Sequence, residues 1–387
     1  MKKTLFASLI ALLSAGVNAE LIQHTDQIAE VKFTGSTYEL GKHVGEVAKD
    51  DILDSIARFD DTLGVMLPGL NVASLGKSYD GEQVFENLQQ QSPEAASYIK
   101  GLSESLNLPP SFLLAVGMSD EAILESQRNG GIGFLQAEAP AKCSVMGMTD
   151  GKGKGWGVAN FDYMAVNYEG LIVLNHTDED GKTKVIQTWA GLIPYGGIAK
   201  GGQPLLMNTM ADEGTYREKD SGDILKGNAP SYVLSWDAYN ATSPEELLDM
   251  YRSGPGKYSA YFSYVMLDPD GEALNVENGY KARYSYSYNQ KQSHANHSKF
   301  VEHNFVDSKF AAKTLDRQAA LDEFMASATA KTTQDEAVAA MHSKPLWKGR
   351  GELMGTVTTT HYQIDGNKVD MTIYTDSDHE PVVIKNY

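Results

Sequence analysis

Ala141-Lys142-Cys143-Ser144-Val145-Met146-Gly147 holds the one cysteine of this 387-residue chain, and Val158-Ala159-Asn160-Phe161-Asp162-Tyr163 follows a short way downstream. The character of the sequence changes at that cysteine. Before it, Gly130, Gly131, Gly133 and Pro140 loosen the chain, which predicts a boundary or a processing loop there. After it, short runs rich in β-formers alternate with Gly, Asp and Asn turns.

Upstream, residues 20 to 36 alternate as a strand or hairpin does. Tyr38 to Leu63 carries Leu40, Val44, Val47, Ile52, Ile56 and Phe59 at helical spacing in spite of Gly41 and Gly45, and so predicts one or two helices. Ser92-Pro93-Glu94-Ala95 opens a helix that runs to Leu106. Pro109-Pro110 restarts the chain, and Ser111 to Leu124 is helical in period. Downstream, strands are expected near 156–160, 171–175, 184–189, 205–208, 260–267 and 272–276, with Asp268-Pro269-Asp270-Gly271 as a hairpin turn. Helices are expected from Pro244 to Tyr251, from about Asp307 to Ala326, carrying Phe310, Leu315, Ala319, Leu321 and Phe324, and from Gln334 to Met341. A terminal hairpin, 355–362 with 369–374, closes the chain.

Composition narrows the function. Lys and Arg number 33 against 51 Asp and Glu, a net charge of −18 that argues against nucleic acid as partner. Lys2 and Lys3, the apolar run Leu5 to Leu13 and the small residues before Glu20 predict a signal peptide, residues 1–19, cleaved after Ala19. No later run is long enough to span a bilayer, so a periplasmic or secreted location is expected, with no membrane span. An exported chain with one cysteine has no internal disulfide, which leaves Cys143 as either a buried small hydrophobe or a reactive thiol. Gly151-Lys152-Gly153-Lys154-Gly155-Trp156-Gly157 lacks a phosphate-loop ending and predicts a basic surface turn. His294, His297 and His303 cluster without an accompanying carboxylate motif, so no metal and no cofactor is expected.

A lone cysteine becomes a complete nucleophile if the bond between Lys142 and Cys143 is cut. The new α-amine, with a reference pKa near 8, then sits beside the thiol and serves as its base. Asp162, just past a short strand, is placed to orient amine and thiol, and the side-chain amide of Asn296, in Ser293-His294-Ala295-Asn296-His297-Ser298, can stabilise an oxyanion.

Cys143-Ser144 at the head of a strand, Asn160-Phe161-Asp162, Asn296-His297 beyond the hairpin DPDGEALNVE, and the leading FTGSTYELGKHVGE together resemble the acyl-coenzyme A:6-aminopenicillanic acid acyltransferase family. That family belongs to the N-terminal-nucleophile hydrolases and is related to the bile-salt (choloylglycine) and penicillin V hydrolases. The resemblance covers about residues 30 to 375. It implies an α+β fold, a four-layer αββα sandwich, preceded by a mostly helical pro-region: residues 20–142 as leader and 143–387 as catalytic domain, cut between Lys142 and Cys143. It implies Cys143 as nucleophile, Asp162 as the residue that holds and tunes it and Asn296 as oxyanion donor, with Ser144, Asn160 and His297 as possible supports. It departs from the family at Lys142, where Gly is common, at Ala159, where the bile-salt enzymes carry Arg, and at Ala199, where Asn is frequent. The expected activity is hydrolysis of a linear C–N amide bond in an N-acylated small molecule or peptide, with the cut leader staying associated. Acyl transfer by the same mechanism, an uncut Cys-His hydrolase using His297, and an inactive exported ligand-binding protein are the alternatives.

Overall fold

The hairpin expected in residues 20 to 36 is formed by β1 (Ala19–Gln23) and β2 (Ile28–Thr34), an antiparallel pair. In the computed structural model the described residues are 19–66, 68–118, 121, 143–210, 230–253, 262–278, 284–300 and 308–385. The expected signal peptide up to residue 18, the glycine-rich loop, Lys142, His303 and the far end of the helix expected to reach Leu124 therefore lie outside them.

Strand β2 runs parallel to β5 (Leu171–Thr177), and every other described strand pair is antiparallel. A nine-stranded sheet continues through β6 (Thr183–Trp189), β7 (Ile193–Ile198), β8 (Pro204–Thr209), β9 (Phe262–Met266), β10 (Ala273–Asn278) and β11 (Tyr284–Asn289). A six-stranded sheet has the order β12 (Lys291–His294), β3 (Ser144–Thr149), β4 (Lys154–Met164), β13 (Met354–Asp365), β14 (Lys368–Tyr374) and β15 (Val382–Ile384). The two sheets touch through β4 and β3 against β8. Gly157 on β4 marks how close they come, since a Cβ there would lie 2.6 Å from a methyl of Leu267 and 3.3 Å from one of Leu206.

The helices α1 (Thr37–Val47), α2 (Lys49–Met66), α3 (Val72–Gly81), α4 (Val84–Gln91), α5 (Pro93–Leu106) and α6 (Pro110–Gly117) share one apolar core with the nine-stranded sheet. Ser36 starts α1 by a reciprocal capping box with Glu39. The glycine in α1 that weakens its helical pattern has a packing reason. A Cβ on Gly41 would sit 2.2 Å from the Tyr98 carbonyl, and one on Gly101 of α5 would sit 2.1 Å from the Tyr38 carbonyl, so the two helices meet backbone to backbone. Helices α7 (Ser231–Ala238) and α8 (Pro244–Ser253) contact β7 and β10, while α9 (Ser308–Ser327) and α10 (Gln334–Met341) contact β3, β4, β12 and β13. A second core, Met146, Met148, Trp156 and Val158 against Leu321, Met325, Ala337 and Met341, lies between those last two helices and the six-stranded sheet. No helix among the described residues is long and apolar enough to cross a membrane.

The inward face of α9 is only partly apolar. Leu315 is 44% exposed and Ala319 is exposed, while Thr314, Arg317, Gln318, Leu321 and Met325 are buried. Those buried positions keep helical spacing, but the first three are polar.

Candidate functional site

Alternation along β3 and β4 separates the expected residues between two faces of one sheet. Val145, Phe161 and Tyr163 point into the core shared by the two sheets, as Cys143 does, whereas Met146, Met148, Trp156 and Val158 point toward α9 and α10. Ser144, Asn160 and Asp162 have the parity of the second set. Cys143 immediately precedes β3 and is buried, and extending the register places it opposite Phe161, whose ring stacks on Tyr195 of β7 at 4.2 Å.

What joins these positions is Arg317 of α9, which the residue patterns did not single out. Its Nη1 donates to the Cys143 carbonyl at 2.8 Å and to Ser144 Oγ at 3.0 Å, and its Nη2 donates to Asn296 Oδ1 at 2.6 Å. The guanidinium is almost wholly buried, and burial pushes its pKa below the ordinary value, against the opposing charges of Asp162 and Cys143. Because Asn296 Oδ1 takes the arginine bond, its amide orientation is set with Nδ2 as the outward donor. That Nδ2 donates to the Thr209 carbonyl, and the backbone N–H of Asn296 donates to Thr314 Oγ1 at 2.9 Å.

Asp162 is fully buried, and burial pushes its carboxyl up to about 6 in spite of the Thr356 hydrogen bond and the charges of Arg317 and Lys348. Its Oδ1 accepts from Thr356 Oγ1 at 2.7 Å, and that hydroxyl in turn accepts from the Lys348 backbone N–H at 3.2 Å. Its Oδ2 is buried without a hydrogen-bond partner among the described residues. Asp162 and Cys143 each act electrostatically on Arg317.

Asn160 holds structure at the same sheet face. Its Nδ2 donates to the Met341 carbonyl at 2.9 Å and the Leu346 carbonyl at 3.3 Å, and its Oδ1 accepts from Thr359 at 2.7 Å. These bonds fasten the turn after α10 to β4. His297 places Nδ1 3.0 Å from Thr314 Oγ1. His294 contacts Glu277 through Nε2 at 2.8 Å. Among the described residues no group of three or more His, Cys, Asp or Glu side chains is arranged to hold a metal. Ala199 is buried, with its N–H on the Gln203 carbonyl at 2.9 Å.

The signal in the sequence for Arg317 is that Thr314, Arg317 and Gln318 continue the core spacing of Leu321 with polar residues. No family model matches the chain, and no curated protein matches it. Among solved structures, a penicillin V acylase from Agrobacterium tumefaciens is similar at a TM-score of 0.41 and 11% identity, over 63% of this chain and 86% of that one.

Proposed function

We propose that the protein is an exported cysteine amidohydrolase that cuts itself between Lys142 and Cys143 and then cleaves a linear amide through a thioester on Cys143. The observation that carries this reading is Arg317, a buried cation that ties the Cys143 carbonyl to the Asn296 amide oxygen. It brings the head of β3 and the loop after β12 to one point, which is the geometry a nucleophile and an oxyanion donor require. In this reading the two facing sheets with helices on both sides form a four-layer αββα sandwich, and residues 1–19 are a signal peptide. The leader stays bound after the cut, because β2 lies inside the nine-stranded sheet between β1 and β5.

The chemistry balances without a cofactor. The free α-amine of Cys143 takes the thiol proton, and sulfur attacks the amide carbon of the substrate. The resulting oxyanion accepts a hydrogen bond from Asn296 Nδ2, which carries a second N–H beyond the one given to Thr209. The C–N bond breaks, and the amine leaves with the proton held by the α-ammonium. Water then attacks the thioester, giving its proton to the α-amine, and the acid departs as the thiol reforms. Asp162, its free oxygen buried, is the acceptor that orients the new ammonium. Hydrolysis is favoured over acyl transfer, since an exported enzyme has no supply of coenzyme A.

Intact mass and N-terminal sequencing of the wild type beside Cys143→Ala test this. A wild-type chain beginning at Cys143, absent from the variant, is expected, together with amine release from N-acyl amino acids by the wild type alone. An uncut wild type that still hydrolyses amides would favour the Cys-His alternative. An uncut wild type that binds ligands without turnover would leave a binding protein.

A further inference from the structure

The two peptides that lead into Asn296 are held by buried side chains of α9, β8 and β12. The Ala295 N–H donates to Gln318 Oε1 at 2.8 Å. Asn208 of β8 donates through Nδ2 to the carbonyls of His294, at 3.1 Å, and Ala295, while its own Oδ1 accepts from Ser263 of β9 at 2.6 Å. His294, wholly buried at the end of β12, faces the Ala295 carbonyl with Nδ1 at 2.6 Å and Glu277 Oε1 with Nε2 at 2.8 Å. Glu277 comes from β10, in the other sheet. Its Oε1 also accepts the Lys299 N–H at 2.7 Å, and its Oε2 accepts from the hydroxyls of Ser298 and, at 3.2 Å, Ser285. One carboxylate thus collects the strand before Asn296 and the two residues beyond His297.

We propose that Glu277 and His294 are a positioning pair, which fixes the loop 294–299 between the two sheets so that the Asn296 carboxamide stands where the oxyanion forms. The proposal rests on the amidohydrolase reading above. Placing an ionisable pair in a buried joint often costs stability that an apolar pair of the same volume would not, and its use here is explained by the geometry it enforces. Burial pushes the Glu277 carboxyl up, but the bond and charge of His294, with the Lys299 and Ser298 donors, outweigh it and hold the carboxyl below its ordinary range. A misplacement of about 1 Å at a reacting group costs about 10²-fold in rate.

Glu277→Gln keeps the shape of the carboxyl and removes its charge. It is expected to lower kcat by roughly 10 to 100-fold with KM nearly unchanged, as loss of an interaction made in the transition state does. In an Asn296→Ala background the same change should lower kcat by less than about twofold, because the amide it positions is gone. Equal losses in the two backgrounds would overturn the proposal and leave the pair as a staple between sheets. A second readout does not need activity: in 15N–1H spectra the side-chain amide of Asn296, assigned by its absence in Asn296→Ala, should shift in Glu277→Gln and in His294→Gln. An unmoved Asn296 amide in both variants would overturn the pair's role even if the wild type hydrolysed nothing, and a shifted amide in an inactive wild type would support it while sinking the amidohydrolase reading.

Discussion

Among the described residues two Lys or Arg side chains are buried, Lys184 and Arg317, and they are held differently. Lys184 of β6 meets the Glu94 carboxylate and Asn240 Oδ1, the latter at 2.6 Å, and Glu94 also takes bonds from Asn240 and Thr37. The lysine is wholly buried and its pKa is pushed down by burial, while Glu94, whose side chain is 31% exposed, is held below its ordinary value because Lys184 outweighs its own burial. This is an ion pair that ties α5 to β6. Arg317 instead holds a peptide carbonyl, a hydroxyl and an amide oxygen, and Asp162 answers its charge from beyond hydrogen-bonding contact. A cation paired with its carboxylate mainly secures structure. One that grips three neutral oxygens of two chain segments sets their relative positions and leaves its field in the site.

The sharpest test of that contrast is removal of each cation. Arg317→Met is expected to lower amide hydrolysis by roughly 10² to 10³-fold, the scale of losing a preorganised donor set. Lys184→Met is expected to leave kcat within about twofold and to lower stability by about 2 kcal/mol in urea unfolding, less than for a wholly buried pair because Glu94 reaches water. Equal kinetic losses in both would erase the distinction.

Removing the answering carboxylate comes next. Burial pushes the Asp162 carboxyl from its ordinary 3.8 up to about 6, so the folded chain binds the proton more tightly and stability falls as pH rises from about 4 to about 6. Asp162→Asn should flatten that window by about 3 kcal/mol at most and, in the proposed mechanism, lower kcat strongly. Urea midpoints from pH 4 to 7 and rates at pH 7 read both effects.

The smallest effect is expected at Asp237, beside the lysine network. Burial pushes it up to about 6 as well, against the Ser92 hydroxyl that donates to it at 2.6 Å. Asp237→Asn should flatten the same pH window by a smaller amount and leave kcat unchanged. Activity lost there would move the site toward α5.

Much of the element order was legible in the sequence. The first hairpin, α5 after Ser92-Pro93, the hairpin at Asp268 to Gly271 and the terminal pair β13–β14 each follow from turn and capping residues that act locally. Ser92 itself departs from that reading, since its hydroxyl serves Asp237 and not its own helix. Strands β7, β11, β12 and β15 and helices α3, α4 and α7 went unseen. Ile193–Ile198 reads as a glycine loop, Tyr284–Asn289 as a polar repeat and Lys291–His294 as too short; the first two become strands by pairing with the strands just before them, β6 and β10, and the last by pairing with the distant β3.

The sequence alone determined that Cys143 has no disulfide partner within the chain and that helical and strand-rich parts meet near it, because cysteine count and residue period are properties of the chain itself. It also marked Asp162 and Asn296 for attention. The tertiary structure decided that Asn160 fastens a turn, that Cys143 and Asp162 take opposite parities of one sheet, and that Arg317 joins Cys143 to Asn296. A polar side chain on a helix reads as solvent-facing until the partners that satisfy it are in place, and those of Arg317 come from β3 and from the loop after β12.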